Sequence, residues 1–138
     1  MKKFFQEFCD KVIALDPSIR FAGIADEDGK LEANSTRVGL KALLTPEERA
    51  QYAITAATRQ YTRLRWEYLL GRILYASSHY SKITRATIPI ADGNSRLSYV
   101  LLLSFDADTP NFHETIIKKI IPLVHKNMNT FLAESQVK

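Results

Sequence analysis

Four consecutive residues, Thr45-Pro46-Glu47-Glu48, constrain this chain more than any others. A threonine at a helix N-cap accepts from the backbone N–H three residues on. Proline suits the first helical position, and a glutamate at the third reaches back to the cap N–H, which closes a capping box. From that start nothing in the sequence interrupts a helix before Gly71. A helix of about 25 residues is roughly 37 Å long at ~1.5 Å per residue, more than the diameter of a small domain. A chain of 138 residues must therefore spread other structure beneath a rod.

The segments on either side supply strands. Residues 20–25 and 30–35 flank the turn signal Asp28-Gly29 and predict a hairpin. Downstream, RILYASSHY (72–80) and KITRATIPI (82–90) are rich in β-branched and aromatic residues, with Pro89 expected at a strand end or an edge. LSYVLLLSF (97–105) is nearly continuous in apolar residues, as a central strand covered on both faces would be. Phe5, Phe8, Val12 and Leu15 recur at helical spacing before Asp16-Pro17 ends their segment. After the cap-like Asp108-Thr109-Pro110, a last helix carries Phe112, Ile116, Ile120, Val124 and Phe131, and Pro122 is expected to kink it. The order is helix, two strands, long helix, three strands, helix. Two strands do not make a stable core, whereas five do when hairpin and meander join in one antiparallel sheet. The expected class is α+β, one domain over residues 1–138, with the long helix on one face. Which face each terminal helix covers stays open.

Composition narrows the function. The apolar fraction of 46% and charged fraction of 25% are those of a globular domain, and no segment offers the roughly 20 apolar residues a membrane span needs. Gln6, Glu7 and Asp10 interrupt any signal-peptide core, and a lone Cys9 suits a reducing compartment, so a cytoplasmic protein without membrane insertion is expected. The net charge of +4 is mild for a nucleic-acid binder, and no helix-turn-helix, zinc-finger or RNP-like pattern is present.

Catalytic patterns are equally scarce. His79, His113 and His125 are too far apart in sequence for a metal motif, and one cysteine builds no zinc cluster. Ser78 and His79 are adjacent strand residues and point to opposite faces. Asp26, Glu27 and Asp28 read as a solvated turn, Asp106 and Asp108 as helix-capping groups, and Cys9 as packing. Neither enzyme chemistry nor a cofactor is expected.

The long helix carries two stripes. Ala50, Ile54, Ala57, Tyr61, Leu64 and Tyr68 form one, expected to face the sheet. Tyr52, Ala56, Arg59, Arg63, Trp66 and Leu70 form the other, which is the candidate interface. Three readings of it stand. Trp66 and Leu70 pack beneath a terminal helix while Arg63 pairs with Glu67. Alternatively, a second copy of the chain covers the stripe about a two-fold axis, since Tyr, Trp and Arg are enriched at interface hot spots. In the third, Arg59 and Arg63 join Arg37, Arg85 or Arg96 to hold an anion or nucleotide, or the helix tracks nucleic acid.

This order of elements resembles the roadblock/LC7 group and its longin and profilin-like relatives. RFAGIADEDGKL, GLKALLTPEER, YASSHYSKI and YVLLLSF also resemble segments of a family of small proteins from ammonia-oxidising archaea. The roadblock resemblance implies a non-enzymatic dimeric platform for a small GTPase or another regulatory partner, dimerising through the long helix. It brings no short motif, so no functional residue transfers from it.

Overall fold

The computed structural model describes residues 2–137; Met1 and Lys138, the ends of the expected span, lie outside the described residues. Helix α1 (Lys2–Ile13) leads into strands β1 (Ile19–Asp26) and β2 (Leu31–Thr36), then helix α2 (Pro46–Leu64) and the single turn α3 (Glu67–Leu70). Strands β3 (Ala76–His79), β4 (Ile83–Ala91) and β5 (Leu97–Asp106) follow. The chain closes with α4 (Phe112–Thr115), a π-helical turn (Ile116–Ile120), α5 (Ile121–Lys126) and α6 (Met128–Val137). All five strands form one sheet in the order β2-β1-β5-β4-β3. Every neighbouring pair is antiparallel, and hairpin joins meander where Ile24 faces Leu101.

Two cores of different character fill the faces of this sheet. Alternation along β5 sends Tyr99, Leu101, Leu103 and Phe105 to one side, where they meet Phe5, Phe8 and Val12 of α1 and Ile116, Ile120, Val124 and Phe131 of the C-terminal helices. Phe131 stands edge-on to Phe8 with ring centroids 4.9 Å apart, a favoured aromatic geometry. Both terminal helices thus cover the same face. On the other face lies α2 alone, resting on Ala25, Val100 and Leu102 through Ala53, Ala56, Ala57 and Leu64. Small side chains let this helix approach the sheet closely. Gly29, in the β1–β2 turn at φ +86°, sits so near that a Cβ there would lie 2.4 Å from the Ile54 Cα.

The capping box forms as expected. Glu48 N–H donates to Thr45 Oγ1 (3.1 Å), and Thr45 N–H donates to Glu48 Oε1 (2.9 Å). The far end of the helix differs from expectation, because α2 stops at Leu64 instead of Gly71. Trp66 flattens to ψ −1° and one short turn follows. The cause lies beyond the helix. The Glu67 carboxylate accepts from the Ile73 N–H (2.9 Å), the Ser95 hydroxyl and Arg72, whose guanidinium also donates to the carbonyls of Asp92 and Gly93. These bonds draw residues 72–75 toward the β4–β5 turn, so β3 keeps only four residues of the expected 72–80. Its ladder ends at Ala76 opposite Thr87, and Pro89 lies past that end, at an edge as expected. The last helix starts at Asn111 in a left-handed conformation without a side-chain cap, while Thr109 Oγ1 donates to the Asp106 carbonyl instead of capping. Around Pro122, which has no N–H to give, the helix widens into the π turn and restarts.

Candidate functional site

The structure rotates α2 relative to the wheel drawn from sequence. Ala57 and Leu64 do face the sheet, but Ala53, Ala56 and Gln60 accompany them, all buried. Ile54, Tyr61 and Tyr68, expected inside, are exposed. Bulk misled the wheel, because close packing on the sheet selects alanines, and the larger side chains stand clear. Tyr61 has its own task at the flank, where its hydroxyl donates to the Glu27 carbonyl (2.9 Å) and ties α2 to the β1–β2 turn. Burial and then the nearby acidic residues Glu27, Asp28 and Asp26 push that phenol above its usual pKa.

The six candidate interface residues therefore divide. Ala56 is buried against the chain's own sheet. Tyr52 and Arg63 are half-buried at the side of α2 that looks along the sheet toward β4 and β3, whereas Arg59 is exposed at the rim. Trp66 and Leu70 are 49% and 81% exposed, so no terminal helix covers them. Nor does Arg63 pair with Glu67, whose carboxylate is engaged by Arg72, Ser95 and Ile73.

Between α2 and the β4–β3 half of the sheet runs a groove. Period-2 alternation aims Arg85 and Thr87 of β4 and Ser78 of β3 into it. The Arg85 guanidinium lies 3.8 Å over the Tyr52 ring. Arg63 donates from Nη1 to Thr87 Oγ1 at 3.4 Å, and Gln60 Nε2 reaches the same hydroxyl at 3.3 Å. Burial, and next the charge of Arg59, lower the Arg63 pKa. Past Tyr52 the groove opens into an apolar cleft under the loop before α2, walled by Phe21, Ile83, Leu102, Leu40 and Leu44. Arg49 lies over the Phe21 ring there, 5.1 Å from its centroid. Of the three arginines weighed as companions for Arg59 and Arg63, the structure brings in Arg85 alone. Arg37 makes a two-pronged contact with Asp106, and Arg96 lines a separate hollow with Glu27 and Asp92. Sequence reasoning passed over Arg49 and Gln60. An arginine three residues before Tyr52 on a helix was the available signal for the first.

The remaining candidates resolve into local structure. Strand alternation pairs His79 with Ser77, whose Oγ lies 3.1 Å from its Nε2, and turns Ser78 to the other face. The other ring nitrogen of His79 meets Thr84 Oγ1 at 3.4 Å, a hydroxyl where a triad has a carboxylate. His113 Nδ1 is 2.7 Å from the Tyr75 hydroxyl. Asp26 Oδ1 accepts from the N–H groups of Asp28 and Lys30, both at 2.9 Å, which gives that acidic cluster a turn-forming role. Asp106 binds Arg20 and Arg37. Among the described residues, no helix is long and apolar enough to cross a membrane.

This arrangement, a five-stranded antiparallel sheet with one long helix on one face and the terminal helices on the other, is roadblock/LC7-like. Solved structures with this fold superpose on most of the chain. MglB from Myxococcus xanthus matches with a TM-score of 0.66 at 16% identity, over 94% of this chain and 91% of that one. A roadblock/LC7 domain from Streptomyces avermitilis gives a TM-score of 0.67 at 10% identity, over 92% and 97%. An MglB described as having a tetrameric arrangement gives 0.60 at 14% identity, over 87% of each chain. No protein-family model and no curated protein matches the sequence. At these identities the likeness is one of fold.

Proposed function

We propose that this chain is a non-enzymatic regulatory or scaffolding module, one domain over residues 1–138, that acts through protein–protein contact as a homodimer. The observation that carries the reading is the series of exposed apolar and aromatic side chains along α2 and α3, Ile54, Tyr61, Trp66, Tyr68, Leu69 and Leu70. Apolar groups gathered on one surface of a globular protein mark interaction sites. Of the candidate interface set, Arg59, Trp66 and Leu70 lie on or beside that surface. Tyr52, Ala56 and Arg63 lie on the side of α2 that lines the groove toward β4 and β3. Two copies of α2 packed antiparallel about a two-fold axis would bury the patch against itself. The tetrameric MglB arrangement is a precedent for self-association on this fold. A small GTPase or another regulatory protein as the eventual partner, and kinship with the archaeal family, rest on the resemblance read from the sequence. Nucleic acid is disfavoured, since Arg63 and Arg85 turn inward beneath aromatic and hydroxyl neighbours.

Light scattering tests the dimer. Wild type at twice the chain mass and a Trp66→Glu/Leu70→Glu variant at the chain mass are expected. A monomeric wild type, or a variant of unchanged mass, overturns it.

A further inference from the structure

The groove beside α2 lies apart from the exposed apolar side of that helix. We infer that it binds a small amphiphilic oxyanion, a phosphate or carboxylate head carried on a short apolar body. Arg49, Arg59, Arg63 and Arg85 line its two adjoining parts, Arg20 also stands at the wall of the apolar part, and neither part is lined by an aspartate or glutamate. Among the described residues none of these four forms an ion pair, in contrast to Arg20, Arg37 and Arg72, each of which meets a carboxylate. Unneutralised guanidinium groups crowded beside a sheet repel one another, and the Arg63 pKa is lowered first by burial and then by the charge of Arg59.

Three of the four are nevertheless held in place, each by a neutral neighbour. Arg49 lies on Phe21, Arg85 lies on Tyr52, and Arg63 bonds to Thr87. Contacts to ring faces leave the N–H forks of Arg49 and Arg85 unspent, and a planar fork matches an oxyanion in two parallel hydrogen bonds. The head group sits among Arg59, Arg63 and Arg85, with the Ser78 hydroxyl beside it. The body lies on Phe21, Ile83 and Leu102 under Leu40 and Leu44, in a shallow cleft whose enclosed volume is about 50 Å³, so that it rests along the open mouth. Apolar walls with a few convergent polar groups are the usual make-up of a small-molecule site. This geometry also sets the order of affinities, in which an anion with an apolar body binds more tightly than the bare anion.

Titration calorimetry at fixed ionic strength tests the site with hexyl phosphate, hexanoate and inorganic phosphate. Saturation by hexyl phosphate or hexanoate at one per chain is expected, with inorganic phosphate weaker; the better of the two organic probes identifies the head group. Loss of one charge-assisted contact in Arg85→Gln or Arg59→Gln weakens binding about tenfold. Arg65→Gln, at an exposed position just past the end of α2 and outside the groove, leaves it unchanged. Arg59 is exposed, so its variant keeps the test alive even where Arg85→Gln disturbs Tyr52. The inference is overturned when neither organic probe saturates, or when Arg65→Gln weakens binding as much as the groove variants do. It is equally overturned when Arg59→Gln and Arg85→Gln change the mass in light scattering while no probe binds, which would assign these charges to a second copy of the chain.

Discussion

Replacing Gly29 with alanine probes how α2 is fastened to the sheet. Two separate costs arise there. A residue with a Cβ at φ +86° enters the left-handed region, at about 1–2 kcal/mol. The new methyl also meets helix backbone, 2.4 Å from the Ile54 Cα and 2.9 Å from its nitrogen, and backbone does not rotate away as a side chain does. Overpacking of this kind costs about 1–3 kcal/mol, so Gly29→Ala is expected to lose roughly 2–5 kcal/mol. Gly39 supplies the control. Its φ is +78° and nothing lies within 4 Å of a Cβ built on it, so Gly39→Ala carries the conformational cost alone. Urea unfolding reads both, with the midpoint for Gly29→Ala about 1 M or more below that for Gly39→Ala at unchanged slope. Equal losses in the two variants would refute the close approach of turn and helix.

The carboxylate of Asp106, bonded first by Arg37 and also by Arg20, is held below the usual range. A depressed folded pKa means stability present above the unfolded value of about 3.9 and lost as pH falls through the folded one. Asp106→Asn is thus expected to be modestly less stable at pH 7, with the gap to wild type closing below about pH 4; a gap that persists at pH 2 contradicts the ion pairs. The Cys9 thiol, pushed up to about 12 by burial and then by the charge of Asp10, is expected to ignore a disulfide reagent at pH 8 in the native protein and to react on unfolding. Prompt reaction without unfolding would place it at the surface.

Where local chemistry decides structure, the sequence was legible. The Thr45 cap, the Asp28-Gly29 turn and the apolar run of β5 each act within a few residues, and all three stand where their side chains place them. Long-range bonds were not legible. Nothing near Glu67 in sequence announces that Ser95 will hold its carboxylate, yet that contact helps end α2 early and shorten β3. The phase of α2 was lost for a related reason. Helical spacing offers two stripes of similar apolarity, and the choice between them depends on how near the sheet lies, which Ala53, Ala56 and Ala57 settle by being small. Arg85 was visible as a lone charge in an apolar strand, and its company with Arg59 and Arg63 emerged once β4 was placed beside α2.

The two faces of the sheet differ in how deeply they bind their helices. One is a thick aromatic and branched-aliphatic core, and the other is an alanine contact a single helix wide. Cooperative units with less buried apolar area open at lower free energy. The amides of α2 are therefore expected to exchange with solvent ahead of those in β5 and α5 in a hydrogen-exchange measurement, through excursions in which the helix lifts while the rest of the molecule stays folded. A partner that grips α2 adds its binding energy where the chain has least of its own, and its arrival registers as slowed exchange along the whole helix.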